Sequence, residues 1–117
     1  MGANETLANL VHATGSLSSM YMSRKGDVIA SAGKRGKSLE AVAAVARDAF
    51  EVSLQLSDDM GYGPLKELVV GYTQGPILIR SLESKQQSNL LVVELANFED
   101  LGQTRLHVNR AVEELMG

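Results

Sequence analysis

The stretch SLEAVAAVARDAFEVSLQLSDD, residues 38–59, decides the architecture. It contains neither proline nor glycine, and it opens on Ser38, a residue type whose hydroxyl caps helix N-termini. At about 100° per residue, Leu39, Val42, Ala43, Ala46, Phe50 and Leu54 fall into one apolar stripe. Ala41, Val45, Ala49, Val52 and Leu56 make a second stripe beside it. The polar arc is left to Glu40, Arg47, Asp48, Glu51, Gln55 and Asp58. The apolar arc therefore spans roughly 200°, where a surface helix needs about 100°. One sheet covers one stripe. The second stripe needs another cover, and a chain of 117 residues has little left to supply it.

On either side of this helix the pattern changes period. Glu5 to Ala13 reads as a short helix with Leu7, Leu10 and Val11 on one face, Asn4 or Thr6 as its cap and Gly15 as its stop. Ser16 to Ser23 and Val28 to Ser31 read as strands joined by the turn Arg24-Lys25-Gly26-Asp27. Ala32 to Lys37 then forms a basic, glycine-containing loop. Beyond the helix stop Met60-Gly61-Tyr62-Gly63-Pro64, three strands are expected at Glu67–Tyr72, Ile77–Leu82 and Leu90–Leu95. Short connections favour antiparallel neighbours, because a parallel crossover needs a dozen residues or more. Leu90-Leu91-Val92-Val93 is apolar on both faces and marks a central strand. A last helix is expected from the cap Asn97 onward, with Phe98, Leu101, Arg105, Val108, Val112 and Leu115 at helical spacing and Glu99 and Asp100 offsetting the dipole of its first turn. The expected fold is α+β: a five-stranded antiparallel sheet with helices packed on it, in one domain covering residues 1–117.

Composition narrows the function classes. Apolar residues make up 44% and charged residues 21%, as in ordinary globular proteins. The net charge of -3 and an aromatic content of 4% argue against nucleic-acid binding, which wants a basic footprint and stacking platforms. The absence of Cys removes disulfides, thiolate metal sites and thiol nucleophiles, and fits a reducing cytoplasm. No apolar run reaches the roughly 18 residues of a membrane span, and no signal-peptide pattern is evident. Met1-Gly2-Ala3-Asn4-Glu5-Thr6 matches a permissive myristoylation form, which a helix cap explains more simply.

Few residues suggest chemistry. Gly36-Lys37-Ser38, after a strand and before a helix, resembles the end of a phosphate-binding loop. The full form needs a glycine where Ser31 stands, and it needs a parallel sheet; a nucleotide-binding P-loop protein is the third reading of this chain. Lys34, Arg35 and Lys37, beside a helix N-terminus, are candidate contacts for an anion or an acidic partner. His12 and His107 lie on different helices with no ligand partner at a suitable spacing, so no metal is expected. No Gly-x-Ser-x-Gly elbow pairs a serine with a base. Nothing in the chain reads as an active site, no cofactor is expected, and the chain is expected not to be an enzyme.

Several of these segments together resemble the Roadblock family of dynein light chains and MglB-like small-GTPase regulators. The carriers are the hairpin Met20-Tyr21-Met22-Ser23-Arg24-Lys25-Gly26-Asp27-Val28-Ile29-Ala30-Ser31, the alanine-rich long helix, Gly63-Pro64-Leu65-Lys66-Glu67-Leu68-Val69-Val70, and Leu91-Val92-Val93 with Leu101-Gly102-Gln103-Thr104-Arg105. The likeness spans almost the whole chain. It implies a profilin-like sheet with the long helix on one side and the terminal helices on the other, and a dimer formed through the long helix and the strand after it. On this sequence the interface would hold Ala41, Val45, Ala49, Val52 and Leu56, with Val69 and Val70 on a paired edge strand. The implied function is a non-enzymatic homodimeric platform for a small Ras-like GTPase, with stimulation of GTP hydrolysis as the MglB-like form of it. The alternative is a structural adaptor subunit whose binding ignores nucleotide state, as in dynein light chains. No extension that marks a particular subfamily is expected at either end.

Overall fold

The apolar run Leu90–Val93 lies at the centre of a sheet whose two faces are both covered. A computed structural model describes residues 2–33 and 38–117. The elements are α1 (Ala3–Thr14), β1 (Ser18–Ser23), β2 (Val28–Gly33), α2 (Leu39–Met60), β3 (Glu67–Tyr72), β4 (Gly75–Glu83), β5 (Ser88–Glu94) and α3 (Leu101–Met116). The five strands lie in the order β2-β1-β5-β4-β3, and every pairing is antiparallel. Successive side chains of a strand point to opposite faces, so β5 feeds two cores at once. Leu90 and Val92 join Met20, Met22, Ile79, Ala43, Ala46 and Phe50 beneath α2. Leu91 and Val93 join Tyr21, Leu78, Leu82, Leu7, Leu10 and Val108 beneath α1 and α3. Each fully buried Leu or Val is worth about 1.5–3 kcal/mol of transfer free energy. The expected fold class holds: an α+β sandwich with the long helix on one side and the terminal helices on the other.

Local chemistry explains where elements begin and end, and it corrects several expectations. The Ser38 hydroxyl accepts a hydrogen bond from the Ala41 N–H at 3.4 Å, so Ser38 caps α2 as expected. Gly15 and Gly61 end α1 and α2 in the left-handed region. In α1, however, the cap position falls on Gly2, and the Gly2 carbonyl accepts from the Thr6 N–H. Asn4 is inside the helix, and Thr6 is buried rather than capping.

Ala32 and Gly33, expected in the basic loop, belong to β2 and pair with Ser19 and Ser18. Gly33 has φ 95°, and a Cβ there would stand 2.5 Å from the Leu17 carbonyl oxygen, so this register needs glycine. Only Thr73 and Gln74 form the turn between β3 and β4, since Gly75 and Pro76 already pair with Tyr72 and Gly71. Asn97 does not cap α3. Its side-chain oxygen accepts from the Asp100 N–H at 3.2 Å and closes a separate turn, leaving Phe98, Glu99 and Asp100 outside the helix. Among the described residues no helix is long and apolar enough to cross a membrane.

Candidate partner interface

The two stripes of α2 meet different fates. Leu39, Val42, Ala43, Ala46 and Phe50 pack into the core beneath the helix. Along the second stripe, Val45 is 64% exposed, Val52 67% and Leu56 60%. Ala41 is exposed as well, and Ala49 is half-buried at the inner border. Met60, 55% exposed, extends the row by one turn. The sequence pattern places Met60 only in the helix stop. The surplus seen in the wheel is therefore real in this chain: nothing among the described residues covers it.

This face runs without a break into the edge of the sheet. Between α2 and the β3–β4 hairpin lies an apolar groove of about 50 Å³, lined by Val45, Ala49, Val70, Tyr72 and Ile77 among others. Val70 faces this groove, whereas Val69 packs in the opposite layer with the α1 and α3 core. The two valines grouped in the sequence reading thus serve different faces.

The backbone of β3 shows which groups remain on the open side. The Ser81 N–H donates to the Lys66 carbonyl at 2.9 Å. Bonded pairs alternate along an antiparallel ladder, so Leu68, Val70 and Tyr72 bond β4 and the residues between them do not. Pro76 agrees with this phase: it lacks an N–H, and its carbonyl accepts from Leu95 of the β5 side. Glu67, Val69 and Gly71 consequently point their N–H and C=O groups outward from the sheet. An unpaired edge with apolar neighbours is a template for another strand.

Two charge clusters, neither of them expected from the sequence, brace this region. Glu67 and Arg80 are direct cross-strand partners. Arg80 is buried, and its guanidinium donates to Glu67 Oε1 at 2.6 and 3.1 Å and to Asn109 Oδ1 at 2.6 Å. Arg105 of α3 donates to the other Glu67 oxygen at 2.8 Å. Burial pushes the Glu67 carboxyl up, but hydrogen bonds from Arg80 and then Arg105 outweigh it and hold the group below the usual carboxylate range. The signal in the sequence is a lone arginine inside the apolar run Ile77–Leu82, which demands a buried acid.

On the α2 face of the sheet, Arg24 bonds Glu51 at 2.6 Å and Glu83 at 3.0 Å. Its guanidinium also lies 5.5 Å from the Phe50 ring centre. The Glu51 hydrogen bond keeps its pKa above the usual arginine value. Arg24 ties both hairpin tips to the middle of α2.

Lys34, Arg35, Lys37 and the Gly36-Lys37 part of the phosphate-loop match lie outside the described residues. The strand before them is an antiparallel edge, unlike the parallel strand that feeds a P-loop. His12 and His107 sit on α1 and α3, and no group of three metal-ligating side chains occurs among the described residues.

No family model matches the chain, and no curated protein matches it at a significant level. Solved structures do. The chain is similar to an MglB described with a tetrameric arrangement, at 23% identity and TM-score 0.87 over 97% of this chain and 85% of that one. It is similar to the gliding protein MglB from Thermus thermophilus, at 23% identity and TM-score 0.86 over the same shares. A Roadblock/LC7 domain from Streptomyces avermitilis gives 20% identity and TM-score 0.85 over 96% of this chain and 92% of that one. At these identities the likeness concerns architecture, and it is plain: the chain has the Roadblock fold.

Proposed function

We propose that the chain is a single Roadblock-type domain that works as a cytoplasmic, non-enzymatic homodimeric platform for a small Ras-like GTPase. The observation that carries this reading is the uncovered stripe of α2, continuous through the apolar groove with the open edge of β3. A second copy related by a two-fold axis would cover Ala41, Val45, Ala49, Val52 and Leu56 with the same residues. The β3 strands, bearing Val69 and Val70, would join two sheets into one. The likeness to MglB structures supports a GTPase as the partner of that dimer, and supports stimulated GTP hydrolysis as its outcome. Lys34, Arg35 and Lys37 remain candidates for contact with an acidic patch of the partner.

The test is binding to the Ras-like GTPases of the same organism, each loaded with GDP or a non-hydrolysable GTP analogue, together with hydrolysis rates. The proposal expects one of them to bind tighter in the GTP state and to hydrolyse faster. Capture of a partner with equal affinity in both states would favour the structural adaptor instead. Absence of any nucleotide-dependent binding across the set would end the GTPase reading.

A further inference from the structure

The β3 edge has a second side, away from α2, and it carries two groups seated four residues apart along the strand. Phe98, in the turn before α3, is 51% exposed, and its ring lies over Gly71. A Cβ on Gly71 would stand 3.1 Å from Cζ and 3.2 Å from Cε1 of that ring, so the missing side chain is the ring's seat. Gly71 shares the strand parity of Val69, which places the ring in the α1 and α3 layer. Four residues back, at Glu67, the same face carries the guanidinium of Arg105, whose side chain is 43% exposed. Four residues of strand span about 13 Å, well beyond the ~6 Å at which a cation and a ring attract.

An antiparallel pairing of two β3 strands removes that separation. The outward residues are Glu67, Val69 and Gly71, and the register that uses all three is centred on Val69. In that register Gly71 of one copy stands opposite Glu67 of the other, on the same face of the joined sheet. We propose that Phe98 seals this far face of the seam by packing on Arg105 of a second copy of the chain, twice per dimer. The inference rests on the homodimer reading above, and makes the interface two-sided: the α2 stripe on one face, the Phe98–Arg105 pairs on the other. Glu67 holds each guanidinium in place, and Gly71 leaves room for each ring.

Sedimentation equilibrium on the wild type and Phe98→Ala tests the proposal, with circular dichroism to verify the fold. The ring is half-exposed and outside the helices and strands, so the monomer should keep its helical signal. The dimer Kd should rise about tenfold or more, as for a truncated aromatic anchor. Hydrogen exchange on the wild type needs no variant: amides of Val69 and Gly71 should gain protection as concentration drives dimerisation, while those of Leu68 and Val70 are protected throughout. A wild-type dimer whose Kd moves less than about twofold with Phe98→Ala would overturn the inference and leave the dimer reading standing. Val69 and Gly71 amides that exchange equally fast in monomer and dimer would overturn the inference together with the β3 pairing of the proposed dimer, and would leave only the α2 seam. A wild type that stays monomeric would overturn both. If Phe98→Ala fails to fold, Phe98→Leu with the exchange experiment decides in its place.

Discussion

Val52→Glu separates the folding role of α2 from its partner role. In the isolated chain Val52 is 67% exposed, so a glutamate there remains in water. Its effect on monomer stability should stay within about 0.5 kcal/mol, with the better helix propensity of Glu tending to offset the small lost contact. In a two-fold dimer the same position sits in the seam. Fully burying a valine is worth about 1.5–3 kcal/mol, so the two thirds still exposed hold roughly 1–2 kcal/mol per copy. The substitution forfeits that gain in both copies and adds two buried carboxylates without partners, each costing several kcal/mol. The sum is about 5 kcal/mol or more, which weakens Kd by more than roughly a thousandfold. Sedimentation velocity should show Val52→Glu as a monomer at concentrations where wild type is dimeric, with an unchanged circular dichroism spectrum. Retention of the wild-type Kd would refute the placement of Val52 in the seam. Unfolding of the monomer would refute the claim that its side chain is outside the core.

Three further substitutions test the fold that presents this face. Phe50→Ala empties the largest side chain beneath α2 and removes the ring under Arg24; urea denaturation should show a loss of about 3–5 kcal/mol, and a loss below about 1 would contradict the packing. Gly33→Ala forces a Cβ toward the Leu17 carbonyl at a left-handed φ, so it should cost about 2 kcal/mol or more and lower the melting temperature, whereas a neutral result would contradict the β1–β2 register. Glu67→Gln leaves Arg80 buried against a neutral amide and should cost about 3 kcal/mol at pH 7. Because the folded Glu67 carboxyl is held below its unfolded value of about 4.3, its contribution is complete above that pH and is lost as pH falls through the folded value. The stability gap between wild type and Glu67→Gln should therefore close on acidification, and a gap independent of pH would exclude ionic stabilisation by this carboxylate.

The elements that the sequence disclosed are those where one residue type has one physical use. The double stripe of residues 38–59, the four-residue apolar run of β5 and the bounds of β3 all follow from periodicity and burial alone. What stayed hidden depends on contacts between distant segments. Arg80 reads as an interruption of a strand until Glu67, Arg105 and Asn109 converge on it from β3 and α3. Asn97 is as good a helix cap as any asparagine, and only the bond to the Asp100 amide shows that it closes a turn. Phe98 fits the α3 stripe by spacing, yet Gly71 offers it a seat that no local pattern reveals. Of the candidate interface, the exposure of Val45, Val52 and Leu56 was legible. Its extension to Met60 was not, because the Gly61 turn signal masked the last helical residue.

The central claim is that the uncovered face of α2 and the open β3 edge are completed by a second copy of this chain. Light scattering on the purified wild-type protein, across a dilution series from high to low micromolar concentration, tests it most directly. A mass of twice 12.5 kDa at the upper end, falling toward 12.5 kDa on dilution or holding throughout, is the predicted result. A mass of 12.5 kDa at every concentration would contradict it, and would leave the apolar stripe of α2 to be covered by a different protein.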